Sequence, residues 1–158
     1  MSEPVTIRVY GTPAPQGSKR AFAIRKGGIP TGKAAVIESS HDRVKAWRQA
    51  VIDEAVQVKN WPALDGPLAV SICFFLKRPQ NHYGTGRNAG ILKPTAPPYP
   101  SGTPDLGKLA RSTEDALTAA GIIADDARIV TEHLEKRYAG CVRLGAHIVI
   151  RHHPPGQP

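Results

Sequence analysis

Cysteine is nearly missing from this chain: of 158 residues two are Cys, one is Met and three are Phe. Cys73 and Cys141 stand singly in strand-like stretches, which excludes a disulfide framework and the closely spaced pairs of zinc or redox sites. Each is expected to be a small buried apolar side chain. The histidines offer no metal centre in their place. His41, His82, His133 and His147 are scattered, and His152 and His153 fall in a Pro-rich tail, whereas zinc needs three or four convergent ligands. No apolar run approaches the roughly 20 residues of a membrane-crossing helix. Met1-Ser2-Glu3-Pro4 also lacks the basic-then-apolar pattern of a secretory signal, so the expected compartment is the cytoplasm, with no membrane partner. At this length one domain with a real core is expected, and two would each be marginal.

Acidic residues are missing from two long stretches. From Pro4 to Ile37 there is none, while Arg8, Lys19, Arg20, Arg25, Lys26 and Lys33 are basic. Gly66 to Pro104 is likewise free of acid and contributes Lys77, Arg78, Arg87 and Lys93. Seven of the thirteen acidic residues fall instead between Asp105 and Glu135, within a chain of net charge +8. A polyanion held by the first two regions would meet carboxylates in the third, a distribution that suits nucleic acid. Charge alone serves a generally basic soluble surface equally well.

Val5, Ile7 and Val9 alternate with Thr6, Arg8 and Tyr10, the period of a strand with one buried face. Gly and Pro mark a loop from Gly11 to Arg20, followed by a short strand at Ala21 to Arg25 and a Gly-rich turn. Val44, Trp47, Val51, Ala55 and Val58 recur at helical spacing between His41 and Val58. Leu68 to Leu76 reads as a buried strand. Residues 79–104 carry no periodic pattern, and a loop of that length is expected to be functional and mobile without DNA. A second helix is predicted from Pro104 to Ala120, with Thr103 as N-cap and Gly121 as terminator. Strands follow at Arg128 to Tyr138 and Val142 to Ile150, and residues 152–158 form a short flexible tail. The pattern is α+β: a mixed sheet with two main helices in a single domain spanning 1–151.

The chemistry-bearing segment runs from Thr103 to Val130. Asp105 sits at the start of the second helix, Lys108 lies one turn further on and Arg111 a turn beyond it, Glu114 and Asp115 are in the middle, and Asp125-Asp126 follow its end. Carboxylates at the two ends cannot meet along one straight helix about 24 Å long. They meet if the chain turns back or if a second subunit supplies one of them, which makes a dimer an attractive way to build a site.

This segment resembles the RusA family of Holliday-junction resolvases. That family's signature is a helix opening with Asp-Leu-Asp-Asn/Lys-Leu, a basic residue two positions on, Asp-Ala-Leu in mid-helix and Asp-Asp before a strand. The spacing matches without a gap from Asp105 through Lys108, Arg111 and Asp115-Ala116-Leu117 to Asp125-Asp126. The resemblance implies a homodimeric endodeoxyribonuclease of phage or bacterial recombination and repair that cuts four-way DNA junctions symmetrically. It implies Mg2+ or Mn2+ held by Asp105, Asp125 and Asp126, with no organic cofactor. Asp105, Asp126 and Arg111 would be the catalytic residues. DNA would be gripped by Lys19, Arg20, Lys77, Arg78, Arg87, Lys93, Lys108 and Arg111. Carboxylates suit hard divalent ions, which neutralise phosphate charge and activate water, and a nearby cation stabilises charge developing on phosphate.

The departure is Gly107, where the family pattern has its second aspartate. Glu114 is about 10 Å further along the helix axis and a poor substitute; Asp125, adjoining Asp126, is better placed. Two other readings follow: a catalytically impaired protein that still binds four-way junctions, and a basic accessory protein that binds protein or single-stranded nucleic acid. Each residue also has a plain structural role open to it. Asp105 would complement the helix dipole, Lys108 and Arg111 would form a solvated face, Asp125-Asp126 would make a capped turn, and Asp115 would make a structural ion pair.

Overall fold

A computed structural model describes residues 3–17, 19–38, 41–59 and 62–154, with 19–21 and 36–38 described by their backbone alone. The first strand, β1 (Val5–Tyr10), turns Val5, Ile7 and Val9 inward and leaves the residues between them exposed. It is an edge of a four-stranded sheet whose other members are β4 (Leu68–Leu76), β5 (Ile129–Tyr138) and β6 (Gly145–His152), in the order β1-β6-β4-β5. Central β6 pairs antiparallel with β1 and β4, bringing Ile148 opposite both Ile7 and Ile72. β4 and β5 run parallel. A parallel pair needs a crossover, and this one carries the long loop and the second helix.

Helices α1 (His41–Val58) and α2 (Leu106–Ala119) supply the apolar layer facing the sheet: Val44, Trp47, Val51 and Ala55 from the first, Leu109, Ala116 and Leu117 from the second. Trp47 lies against Phe74 with ring centroids 6.5 Å apart. Its indole Nε1–H donates to Thr113 Oγ1 at 3.0 Å, and the Thr113 hydroxyl donates in turn to the Leu109 carbonyl at 2.9 Å. One polar chain inside the core therefore ties the helices together and leaves neither group unsatisfied. Among the described residues no helix is long and apolar enough to cross a membrane.

The α+β expectation holds, with local corrections. Helix α2 opens at Leu106 with Asp105 at the N-cap position, two residues later than predicted. Lys136 Nζ donates to the carbonyls of Gly102 (2.6 Å) and Pro104 (2.9 Å), so the preceding chain is held to β5 instead of joining the helix. The C-terminal end is as expected. Gly121 has φ +67°, its N–H donates to Thr118 O, and Ile122 N–H reaches back to Leu117 O, a Schellman closure.

The short strand and Gly-rich turn expected after residue 20 are a hairpin, β2 (Lys19–Lys26) with β3 (Ile29–Glu38). Gly27 and Gly28, at φ +60° and +83°, make the tight reversal. Pro30 and Gly32 hide β3 in the sequence, and residues 22–34 are exposed throughout.

Strand β6 begins three residues later than expected because Val142 N–H bonds Ala139 O in a turn, which leaves Val142 and Cys141 exposed. Cys141 is thus not the buried residue predicted, and Cys73 is half-buried. β6 extends to His152, and His153 N–H bonds Pro67 O; of the expected tail, 155–158 lie outside the described residues. Residues 79–104 fold on themselves, with 3-10 turns at Gln80–His82 and Gly86–Asn88 and a bridge between Tyr83 and Leu92.

Replacing Thr113 by Val strands the buried Trp47 N–H without an acceptor. Thr113→Val should lower unfolding free energy by about 1–3 kcal/mol, and Thr113→Ser, which keeps the hydroxyl, by less. Urea denaturation of the two variants checks this, and equal losses would contradict it.

Candidate active site

At the N-terminal end of α2, Asp105 lies 3.6 Å from Lys108 in a half-exposed ion pair. Arg111 is exposed one turn on, and Gly107 faces open space, where a Cβ would meet nothing within 4 Å. Two bonds seat the loop after β1 against this turn: Ser112 Oγ donates to Ala14 O at 2.7 Å, and Gln16 N–H donates to Lys108 O at 3.0 Å. The Gly-Pro loop picked out by its composition therefore sits beside Asp105. Its basic end does not add to that picture, because the side chains of Lys19 and Arg20 lie outside the described residues.

The other end of α2 holds a second carboxylate group. Asp125 Oδ1 accepts from Ala127 N–H at 2.8 Å, capping the 3-10 turn Asp126–Arg128. Asp126, Asp115 and Glu132 of β5 stand within electrostatic reach of Glu114, one of whose carboxylate oxygens is buried without a hydrogen-bond partner. Burial, then the Glu132 hydrogen bond, then the charges of Glu132, Asp126 and Asp115 push the Glu114 carboxyl up to about 8. Asp115 itself makes the structural pair expected of it, with Arg48 of α1. Sequence reasoning missed the Glu114–Glu132 pair. Its signal was available only once α2 was known to run antiparallel to β5, which sets mid-helix against mid-strand.

Among the candidate DNA contacts, Lys77 and Lys108 line a cavity beside Asp105, and Arg87 is exposed on the 86–88 turn. Arg78 and Lys93 hold the long loop. The Arg78 guanidinium lies 3.9 Å over the Tyr138 ring and donates to Pro97 O, and Lys93 Nζ donates to Asn81 O at 2.9 Å.

The family model described as Endodeoxyribonuclease RusA matches residues 12–150. The chain belongs to the RusA endodeoxyribonuclease family. RusA membership implies Holliday-junction resolvase endonuclease activity, and RusA resolvases are generally dependent on a divalent metal. No curated protein matches the chain.

The carboxylates expected to share that metal do not come together in a single RusA chain here. Asp105 caps the start of α2, whereas Asp125 and Asp126 follow the turn after its end, with Asp126 within electrostatic reach of mid-helix Glu114. Among the described residues no group of three or more His, Cys, Asp or Glu could hold a metal ion. Asp105, Asp125 and Asp126 are accordingly not grouped as a metal site within one chain among the described residues.

The raised carboxyl of Glu114 has a thermodynamic consequence. Between the ordinary value of 4.5 and about 8 the folded protein keeps a proton that the unfolded chain has released. That contribution to stability is complete below the ordinary carboxylate range and is lost as pH climbs toward 8. Glu114→Gln, which keeps the hydrogen-bonding shape without the charge, is expected to flatten this part of the profile and to raise the melting temperature above pH 8. Thermal melts from pH 4 to 9 check it; an unchanged slope would contradict it.

Proposed function

We propose that this RusA-family chain is a structure-selective endodeoxyribonuclease that resolves Holliday junctions by paired strand cleavage, acting as a C2 homodimer with Mg2+ or Mn2+. The family match, unbroken from the Gly-Pro loop through both carboxylate groups to β6, carries this reading. Paired cuts need two symmetry-related sites, and a two-fold dimer is the commonest way to make them. The three aspartates form no metal group within one chain among the described residues, and in this arrangement Asp105 of one subunit meets Asp125 and Asp126 of the other.

In this reading Asp105 and Asp126 hold the ion, Asp125 assists, and Arg111 contacts the scissile phosphate. Lys19, Arg20, Lys77, Arg87 and Lys108 grip the backbone, while Arg78 and Lys93 act by holding the 79–104 loop in shape. Affinity then falls steeply with salt, since each neutralised phosphate releases counterions.

Gly107 favours a second reading, a junction-binding protein whose cleavage is impaired. A carboxylate at this position has room and faces the favourable end of the helix dipole, so Gly107→Asp is expected to fold and to cut faster than the parent. Labelled four-way junction with Mg2+ or Mn2+ is the test, with strand positions read on denaturing gels. Symmetric paired nicks from the parent support the resolvase. Junction binding without nicks, with cleavage restored by Gly107→Asp, would make this chain a binding descendant of a nuclease. Failure of both proteins to cut would remove the nuclease reading.

A further inference from the structure

Two hollows beside the helix start are unexplained by the family motif. One, of about 770 Å3, has walls that include Pro13, Ala46, Ala50 and Leu76, together with the cations Arg43, Lys77 and Lys108 and the single carboxylate Asp105. The other, of about 680 Å3, shares Gly11, Thr12 and Lys77 with the first, so the two adjoin. It carries Lys77, Arg78 and Arg143 with Tyr10 and Tyr83, and no acidic residue lines it. The Arg143 guanidinium is held 4.3 Å over the Tyr10 ring, presenting its charge on an ordered support.

We propose that the pair of hollows binds one unstacked nucleotide of the junction branch point, its base in the apolar cavity and its adjoining phosphates in the basic cleft. This rests on the DNA-cleaving reading above and adds a substrate subsite to it. The volume is that of a small-molecule site, and walls of Pro, Ala and Leu suit the face of a nucleobase. Phosphates on either side of the base need cations without competing carboxylates, which the second hollow supplies. Leaving the stack costs a few kcal/mol in a duplex and least where stacking is already interrupted, as at a branch point. An apolar side chain from a protein partner would fill the first hollow but leave the cations of the second without a counterpart. A nucleotide held beside Asp105 fixes the phosphate next to it, so the pocket also sets which branch-point step is presented for cutting.

The test uses the full chain with four-way junctions carrying 2-aminopurine at each branch-point position in turn, in EDTA so that the DNA stays uncut. Fluorescence anisotropy reports binding, and 2-aminopurine emission reports loss of stacking. Emission is expected to rise about twofold or more at symmetry-related positions on saturation. Ala46→Trp, at an exposed position whose larger side chain fills the cavity, should abolish the rise while anisotropy still reports a complex. Arg143→Gln, also exposed, should weaken junction binding and lower the salt slope by about one, and it decides the matter should Ala46→Trp misfold. A junction bound with no rise at any position, or an equal rise with Ala46→Trp, overturns the pocket and leaves the resolvase reading standing. Absence of junction binding by the parent overturns both.

Discussion

Lys136 of β5 donates to the carbonyls of Gly102 and Pro104, and with that contact helix α2 is laid antiparallel along the edge strand of the sheet. Asp105 is set beside the end of β5, Glu114 opposite Glu132 in its middle, and Asp126 just before its start. The buried link from Trp47 through Thr113 to Leu109 holds the helix from the other side. Ser112 then draws the loop after β1 against the same turn. The placement of Asp105, Lys108, Arg111 and Glu114 follows from how this one helix is pinned.

The electrostatics follow the same line. Where the middle of α2 meets β5, burial first and then the neighbouring carboxylates push the Glu114 carboxyl up to about 8. At the opposite end the cations Arg43, Lys77 and Lys108 line one cavity with a single carboxylate, Asp105. A basic approach surface leading to acidic centres suits a protein that attracts a polyanion and then engages it with a divalent ion.

Much of this was legible from residues alone. Alternation in β1, the apolar spacing of α1 and the β-branched run of β4 each express one buried face, and the structure honours them. Asp115 was recognisable as structural because its place in mid-helix left it remote from both ends. The hairpin strand β3 was not legible, since its Pro and two-sided exposure erase the period-two signal. Nor were the Glu114–Glu132 pair and the two adjoining hollows, which arise from segments far apart in the chain. The start of α2 was misplaced because a bond from Lys136, more than thirty residues later, decides where the preceding chain goes. Local capping rules do not contain that information.

Because Asp105, Asp125 and Asp126 form no metal group within one chain among the described residues, the proposed dimer-shared site is the point most directly open to test. Asp105→Asn and Asp126→Asn, each inactive alone, should complement when their subunits are mixed, because the mixed dimer holds one site with both aspartates intact. Cleavage of a labelled four-way junction by the refolded mixture is the direct measurement. Recovery of single nicks without paired cuts is expected. A mixture as inactive as either variant, with the parent active and the mixed dimer present, would contradict it.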